Sequence, residues 1–381
     1  MPILPNATVG ILGGGQLGRM TAMAAREMGY RVRILDPDPN AAARFLSDGQ
    51  IVAQFDDVDA AVELAKQCDV LTLEIEKVGL ASLRAAAAHV PVRPGAGVLG
   101  VIQERIVQKT WLRDRAFPVG PFGVARSKDE LARVLGELGG ACFIKASTGG
   151  YDGRGQFEAA SATQAEEAWA ALFPTAGDAS VVVERALDIE LEISVMVARN
   201  ASGEVAVYPP AENHHEHRIL AWSVLPASIS PELSKQAVEI ARALASAIEL
   251  EGLLCVELFL VGGELFVNEL APRPHNSYHT TFVGCATSQF EQHVRAVCDL
   301  PLGSTEIVRP SAIANLLGEL WIDGRSPPFE RALAMPCVRL HLYGKAGARP
   351  GRKMGHLSAT ADSGPAALAL VKRARASLET S

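Results

Sequence analysis

Residues 8 to 35 read TVGIL, GGGQLGRMTAMAAREMGY and RVRIL: an apolar run, a glycine turn opening a segment with helical apolar spacing, and a second apolar run. That pattern predicts strand, helix and strand. Ala60 to Gln67 reads as a further helix, and Asp69 to Leu73 as a strand that ends on the acidic pair Glu74 and Glu76. A parallel, doubly wound sheet is therefore predicted for roughly the first hundred residues. The prolines and glycines of PVRPGAG break the pattern, and a basic helix follows from Arg105 to Arg115. Beyond Pro118 and Pro121 the signals alternate through VGPFGVA, DELARVLGEL, ACFIK, a glycine loop, QFEAA, AEEAWAAL and VVVER, which predicts a small α+β unit. A second α+β unit starts near Ile189, with a helix from Glu232 to Ile248 and two strands, LLCVELFLV and ELFVNEL, joined at Gly262 and Gly263. From about Pro301 short strand-like runs, a basic stretch and an alanine-rich helix predict a small closing domain.

The chain has 381 residues, 48 % of them hydrophobic. At roughly 150 residues per domain that gives two or three units with cores of their own. The net charge of -7 argues against a general nucleic-acid binder but leaves room for a local cationic pocket. Cys68, Cys142, Cys255, Cys285, Cys298 and Cys337 lie far apart without metal-ligand spacing and read as small buried apolar residues. The first residues lack a basic start, and no apolar run reaches membrane-spanning length. No membrane partner and a reducing cytoplasm are expected.

The chemistry begins where ACFIK ends on Lys145 and a loop containing Gly149, Gly150, Gly153 and Gly155 follows. Glycines let backbone N–H groups approach a phosphate closely, and the lysine adds a point charge. The loop lacks the Gly-Lys-Ser/Thr ending of a P-loop, and a strand rather than a helix is predicted after it. Standing alone it could equally be a hairpin tip. The paired strands carry Glu257 and Glu269. A two-residue Gly-Gly turn would oppose Glu257 to Asn268, whereas a three-residue loop through Glu264 opposes it to Glu269, and the three-residue loop is the reading adopted. Two facing carboxylates repel unless a cation lies between them, and magnesium accepts one or two carboxylates plus phosphate oxygens. The ordinary alternative leaves one glutamate in solvent.

NELAPRPHNSYH places Asn268, Glu269, Arg273, His275, Asn276 and His279 within a dozen residues, with Arg273 stiffened between prolines and suited to a carboxylate, bicarbonate or phosphate. The run ENHHEHR resembles a metal cluster, but neighbours on a strand alternate faces, so only His215 is expected to point into a site. Gly13, Gly15 and Gly18 with Asp36 match the dinucleotide fingerprint, which any phosphate or tightly packed backbone at a helix N-terminus also requires. Lys345, Arg349, Arg352, Lys353 and His356, spaced by glycines, suit a phosphate monoester or a solvated basic loop.

Taken in order, GGGQLGRM, TGGYDGRGQ, NELAPRPHNSYH and YGKAGARPGRKMGH resemble, over nearly the whole chain, the ATP-grasp 5-(carboxyamino)imidazole ribonucleotide synthases of purine biosynthesis. The resemblance implies an α/β and α+β molecule: a Rossmann-like pre-ATP-grasp domain (1–104), an ATP-grasp domain (105–300, lid subdomain about 116–187) and a small C-terminal domain (301–381). It implies ATP, bicarbonate and 5-aminoimidazole ribonucleotide as substrates, carboxyphosphate as intermediate, Mg2+ as cofactor and a cytoplasmic homodimer. By motif, Arg105 and Lys145 contact phosphates. Gly150, Tyr151, Asp152, Gly153, Arg154, Gly155 and Gln156 form a lid. Glu184, Arg185, Ala186, Leu187 and Glu192 meet adenine and ribose, and His215, Asn268 and Glu269 complete the ATP site. Glu257 and Glu269 hold magnesium. Arg273, His275 and Asn276 form the bicarbonate and carboxyphosphate pocket. Gly15, Gln16, Tyr151, Asp152, Arg154, Lys345 and Arg352 hold the ribonucleotide.

The match is incomplete at Lys77 and Gly79, where the family usually shows histidine or asparagine and a valine-asparagine pair, and at Arg218, where glycine is usual. Another ATP-grasp ligase, such as formate-dependent glycinamide ribonucleotide formyltransferase, is the nearest alternative. A catalytically silent ATP-grasp nucleotide-binding module and an NAD-dependent dehydrogenase are more distant ones.

Overall fold

The computed structural model describes residues 1–148, 155–173, 179–321 and 324–379. β1 (Thr8–Leu12), α1 (Gln16–Glu27), β2 (Arg31–Leu35), β3 (Gly49–Ile51), α2 (Val58–Ala65), β4 (Val70–Leu73), α3 (Leu80–Ala86) and α4 (Ala96–Ile102) build the first unit. Its sheet is parallel throughout, in the order β3-β2-β1-β4, as the alternation of strands and helices predicts. Every residue of β1 and β4 is buried, which a central parallel strand covered on both faces requires. The helix expected from Ala60 starts at Val58, because the Asp57 carboxylate caps it by accepting from the Ala60 N–H.

The second unit contains α5 (Arg105–Asp114), β5 (Phe122–Ala125), α6 (Lys128–Leu138), β6 (Cys142–Ala146), β7 (Gln156–Ala159), α7 (Ala165–Leu172) and β8 (Val181–Arg185). Its four strands are antiparallel in the order β5-β8-β6-β7, so the segment after the glycine loop does return as a strand beside β6. Lys145 and Glu184 thereby lie on neighbouring strands.

β9 (Leu191–Arg199), β10 (Val205–Val207), β11 (Ala211–Glu216), β12 (Ile219–Leu225), α8 (Pro231–Ala247), β13 (Gly252–Val261), β14 (Glu264–Ala271), α9 (Thr281–Gly284) and α10 (Gln289–Val297) follow. Ala237, Ala241, Leu244 and Ala245 form the buried stripe of α8 and pack with Val195, Val197, Leu254 and Val256. α10 instead joins the N-terminal core: Phe290, Val294 and Val297 cluster with Val9, Ile11 and Met20, and His293 Nε2 pairs with Thr72 Oγ1 at 2.9 Å.

The tail supplies β15 (Ser311–Leu317), α11 (Phe329–Leu333), β16 (Val338–Leu342), β17 (Lys353–Thr360) and α12 (Gly364–Ala376). These strands extend the preceding sheet, because β15 pairs with β12, giving the order β14-β13-β9-β11-β12-β15-β17-β16. The tail still packs a core of its own, with α12 laid over Leu316, Leu357 and Ala359.

The hairpin of β13 and β14 corrects one expectation. Val261 opposes Glu264, so the turn has two residues, Gly262 and Gly263, both with positive φ, rather than three. Glu257 nevertheless opposes Glu269, because a β-bulge beyond Leu258 shifts the register by one residue at Asn268. The pairing holds for a different reason from the one predicted.

Candidate active site

The glycine turn between β1 and α1 is filled from inside the molecule. The Glu74 carboxylate, at the end of β4, accepts from the Gly15 N–H at 2.6 Å and the Gly18 N–H at 2.8 Å. A Cβ on Gly13 would come 2.4 Å from Glu74 Cγ, and one on Gly15 would come 2.5 Å from Glu74 Oε1. The glycines therefore accommodate a side chain at the place where a dinucleotide fingerprint accommodates a pyrophosphate. Asp36 is likewise engaged, accepting from the Gly14 N–H at 2.7 Å and the Asp38 N–H at 2.8 Å. Beside this turn a cavity of about 80 Å³ is lined by Gly15, Asp38, Asn40, Lys345 and Arg352 among others. Lys345 donates to Gln16 Oε1, and Arg352 donates to the carbonyls of Ala346 and Gly347. Gly15, Gln16, Lys345 and Arg352 thus meet although more than three hundred positions apart in the chain. Asp38 and Asn40 were not singled out from the sequence; their only signal is the turn-forming run DPDPN.

A second pocket brings Arg105, Gln108, Lys109, Lys145, Glu184, Asn268 and Glu269 together. Lys145 Nζ donates to Glu184 Oε2 at 2.8 Å, and Lys109 Nζ lies 3.5 Å from Glu184 Oε1. Burial would raise the Glu184 pKa, but the two ammonium charges outweigh it and hold the carboxyl below its ordinary value. Arg105 donates to the Ala146 carbonyl at 3.2 Å, at the end of β6. Gly155, with φ of 68°, and Gln156, paired with Lys145, form the far side of the glycine loop. Gly150, Tyr151, Asp152, Gly153 and Arg154 lie outside the described residues. Arg185 ends β8, Ala186 donates its N–H to the Ala141 carbonyl, and Leu187 follows against Gly120. Glu192 on β9 pairs with His215 Nδ1, while His214 and His217 are exposed. Gln108 and Lys109 went unread in the sequence, where a helical Gln-Lys pair has no distinguishing pattern.

Between these two regions lies a row of charges. Glu257 accepts from Asn268 Nδ2 at 3.3 Å and pairs with His275 Nε2 at 3.2 Å, while Ser277 Oγ sits 2.8 Å from His275 Nδ1. Burial would push the Glu257 carboxyl up, but His275, His215 and Asn268 bring it down to about 2. For His275 burial opposes the charge, yet the neighbouring Cys255 and Glu257 side chains lift the ring to about 10. Glu269 has solvent access from the pocket, but protein crowds it and Glu257 adds like charge, so its pKa is raised. Arg273 Nε donates to Glu76 Oε1 at 2.7 Å and also lies in the fields of Glu74 and Glu269. Asn276 is buried, with neither amide atom hydrogen-bonded. A buried amide left in that state is a ready ligand contact.

Models of three families match the chain in succession: a ribonucleotide synthetase preATP-grasp domain over 6–103, an ATP-grasp domain over 110–290 and a phosphoribosylaminoimidazole carboxylase C-terminal domain over 311–369. The N5-carboxyaminoimidazole ribonucleotide synthase of Bacillus subtilis is 38% identical over 93% of this chain and 92% of its own length. The chain belongs to the N5-carboxyaminoimidazole ribonucleotide synthase family. A crystal structure of an ADP complex of such a synthetase superposes with a TM-score of 0.91 at 40% identity, covering 98% of this chain and 97% of its own. The Aspergillus clavatus synthase, in complex with ADP and 5-aminoimidazole ribonucleotide, gives 0.89 at 34% identity over 98% of each chain.

Two departures from the synthase pattern acquire a structural setting. His217 and Arg218 form the turn between β11 and β12 with φ of 49° and 67°, so Arg218 takes the left-handed backbone for which glycine is suited. Glu76, beside Lys77, retains a partner in Arg273. Both α+β units contribute to the second pocket, Lys145 and Glu184 from the first and Asn268 and Glu269 from the second.

Proposed function

We propose that the chain carboxylates the amine of 5-aminoimidazole ribonucleotide, consuming ATP and bicarbonate and releasing ADP and phosphate, in purine biosynthesis. One observation carries the assignment of parts: Arg273, paired with Glu76 at 2.7 Å, lies in the fields of both Glu269, which lines the second pocket, and Glu74, which fills the turn beside the Lys345 cavity. An anion formed at the nucleotide's phosphate end would be met there by a fixed guanidinium. In this reading Arg105 and Lys145 bind the ATP phosphates, Glu184 to Leu187, Glu192 and His215 surround adenine and ribose, and Lys345, Arg352, Gly15 and Gln16 receive the ribonucleotide. The resemblance assigns Gly150 to Gln156 to the ATP site, and Tyr151, Asp152 and Arg154 among them to the ribonucleotide as well.

Bicarbonate oxygen attacks the γ-phosphorus, the bond to ADP breaks, and carboxyphosphate results. Arg273, His275 and Asn276 hold its oxygens, the first two by charge and the third through its buried amide. The ribonucleotide amine then bonds to the carboxyl carbon, the carbon–oxygen bond to phosphate breaks, and the amine gives up one proton to the departing phosphate or to water. Glu257 and Glu269 fit magnesium, being opposed across a bulged hairpin with the second carboxylate destabilised by the first. The ion would neutralise charge on the β- and γ-phosphates. A cytoplasmic homodimer belongs to the same proposal by family resemblance; no helix among the described residues is long and apolar enough to cross a membrane.

ADP release measured with bicarbonate and the ribonucleotide, singly and together, tests the reading. Turnover should require the ribonucleotide, and Arg273→Lys should lower kcat by about a hundredfold through loss of the planar fork. Stimulation by formate with glycinamide ribonucleotide in place of the proposed pair would reassign the substrates.

A further inference from the structure

Lys109 is a buried cation to which the reaction as set out gives no task. It projects from α5 with 7% of its side chain exposed, and its Nζ donates to the Val267 carbonyl of β14 at 3.4 Å besides facing Glu184 Oε1 at 3.5 Å. The other oxygen of Glu184 belongs to Lys145, at 2.8 Å. One nearly buried carboxylate therefore sits between two ammonium groups, one on the strand leading into the glycine loop and the other behind it on a helix. The two partners are not equivalent. Lys145 side chain is 18% exposed and stands at the strand end, while Lys109 is enclosed and also tied to the strand that carries Asn268 and Glu269.

That asymmetry matters once a polyphosphate enters. A Lys145 ammonium drawn toward phosphate oxygens shares its charge between them and Glu184, which weakens the 2.8 Å contact. A buried carboxylate deprived of its cation is strongly disfavoured, so with Lys145 as the sole partner Glu184 would hold it back from the nucleotide. We propose that Lys109 is a positioning residue for the nucleotide: it compensates Glu184 when Lys145 moves to the phosphates, and its bond to Val267 keeps Glu184 registered against the Asn268–Glu269 strand. Lys109 acts through Glu184 and Lys145 and makes no contact with the phosphates itself. The inference rests on the reading that this pocket takes ATP.

The test uses the full chain with Lys109→Met, Glu184→Gln and the double variant. ADP affinity is measured by titration calorimetry, and KM values for ATP and for the ribonucleotide are taken from ADP release. Lys109→Met should weaken ADP binding and raise the ATP KM by about tenfold or more, with the ribonucleotide KM within about twofold of the parent. Adding Glu184→Gln removes the anion that needs compensating. The double variant should therefore bind ADP as Glu184→Gln alone does, a non-additivity that a merely structural lysine would not give. Unchanged ADP affinity in Lys109→Met, or losses that multiply in the double variant, would overturn the proposal. If Lys109→Met does not fold, the comparison of the double variant with Glu184→Gln still decides, since the neutral pair leaves no buried charge: equal ADP affinity supports the proposal and a further tenfold loss refutes it. Wild-type chain that binds ADP but shows no bicarbonate-dependent turnover would sink the assigned reaction while leaving this affinity series interpretable.

Discussion

Arg218 occupies a backbone position that glycine holds at lower cost. Its φ of 67° follows a φ of 49° at His217, and a Cβ in the left-handed region costs roughly 1–2 kcal/mol. Arg218→Gly should raise stability by about 1 kcal/mol, as read from the urea midpoint at unchanged slope; a loss of stability would mean that the arginine makes up for its backbone. The same position shows what a sequence reveals of single residues. The departure from the family pattern was visible, as was the half-buried placing of His215 between exposed His214 and His217, because strand alternation assigns faces without coordinates. Lys109 was invisible, because its significance comes from Glu184, which lies on β8, 75 positions further along the chain.

At the level of elements, the glycine turn of the first unit is a pocket for Glu74. Gly13 has φ of 110°, and an added Cβ would meet Glu74 Cγ at 2.4 Å, so Gly13→Ala should destabilise the fold by about 2–4 kcal/mol in denaturant unfolding. A near-neutral result would show that Glu74 can move away cheaply. Local spacing placed the helices and strands well, since amphipathic stripes such as that of α8 and fully apolar parallel strands such as β1 are written in the chain itself. It misread the hairpin turn, because a bulge at Asn268 is a property of two strands together, and nothing in ELFVNEL marks where the extra residue falls. An unbulged Gly-Gly turn opposes Glu257 to Asn268 and a three-residue loop opposes it to Glu269; the bulge reconciles the shorter turn with opposed glutamates.

The whole molecule is held across its units by buried neutral histidines as well as by apolar cores. His279, His356 and the half-buried His341 stack in that order, with centroids 4.8 and 4.5 Å apart, joining the segment after Arg273 to β17 and β16, and His293 joins α10 to β4. Burial pushes His293 down to about 3, and burial with neighbouring positive charge lowers His279, His341 and His356. An unfolded chain protonates these rings near pH 6.5 while the folded one does not, so the unfolded state binds more protons below that pH. Their contribution is complete above pH 6.5 and lost as pH falls, down to about pH 3 for His293. Each ring that stays neutral costs about 1.4 kcal/mol by pH 5.5. Calorimetry should show the melting temperature falling between pH 7.5 and 5.5, less steeply in His293→Gln; a flat profile would mean that these rings accept protons in place.

The central claim, that bicarbonate is activated by phosphoryl transfer before it meets the ribonucleotide amine, is tested most directly with 18O-labelled bicarbonate. Mass spectrometry of the released phosphate should find one labelled oxygen, with the remaining label in the product carboxylate. Unlabelled phosphate formed during ribonucleotide-dependent turnover would contradict the account.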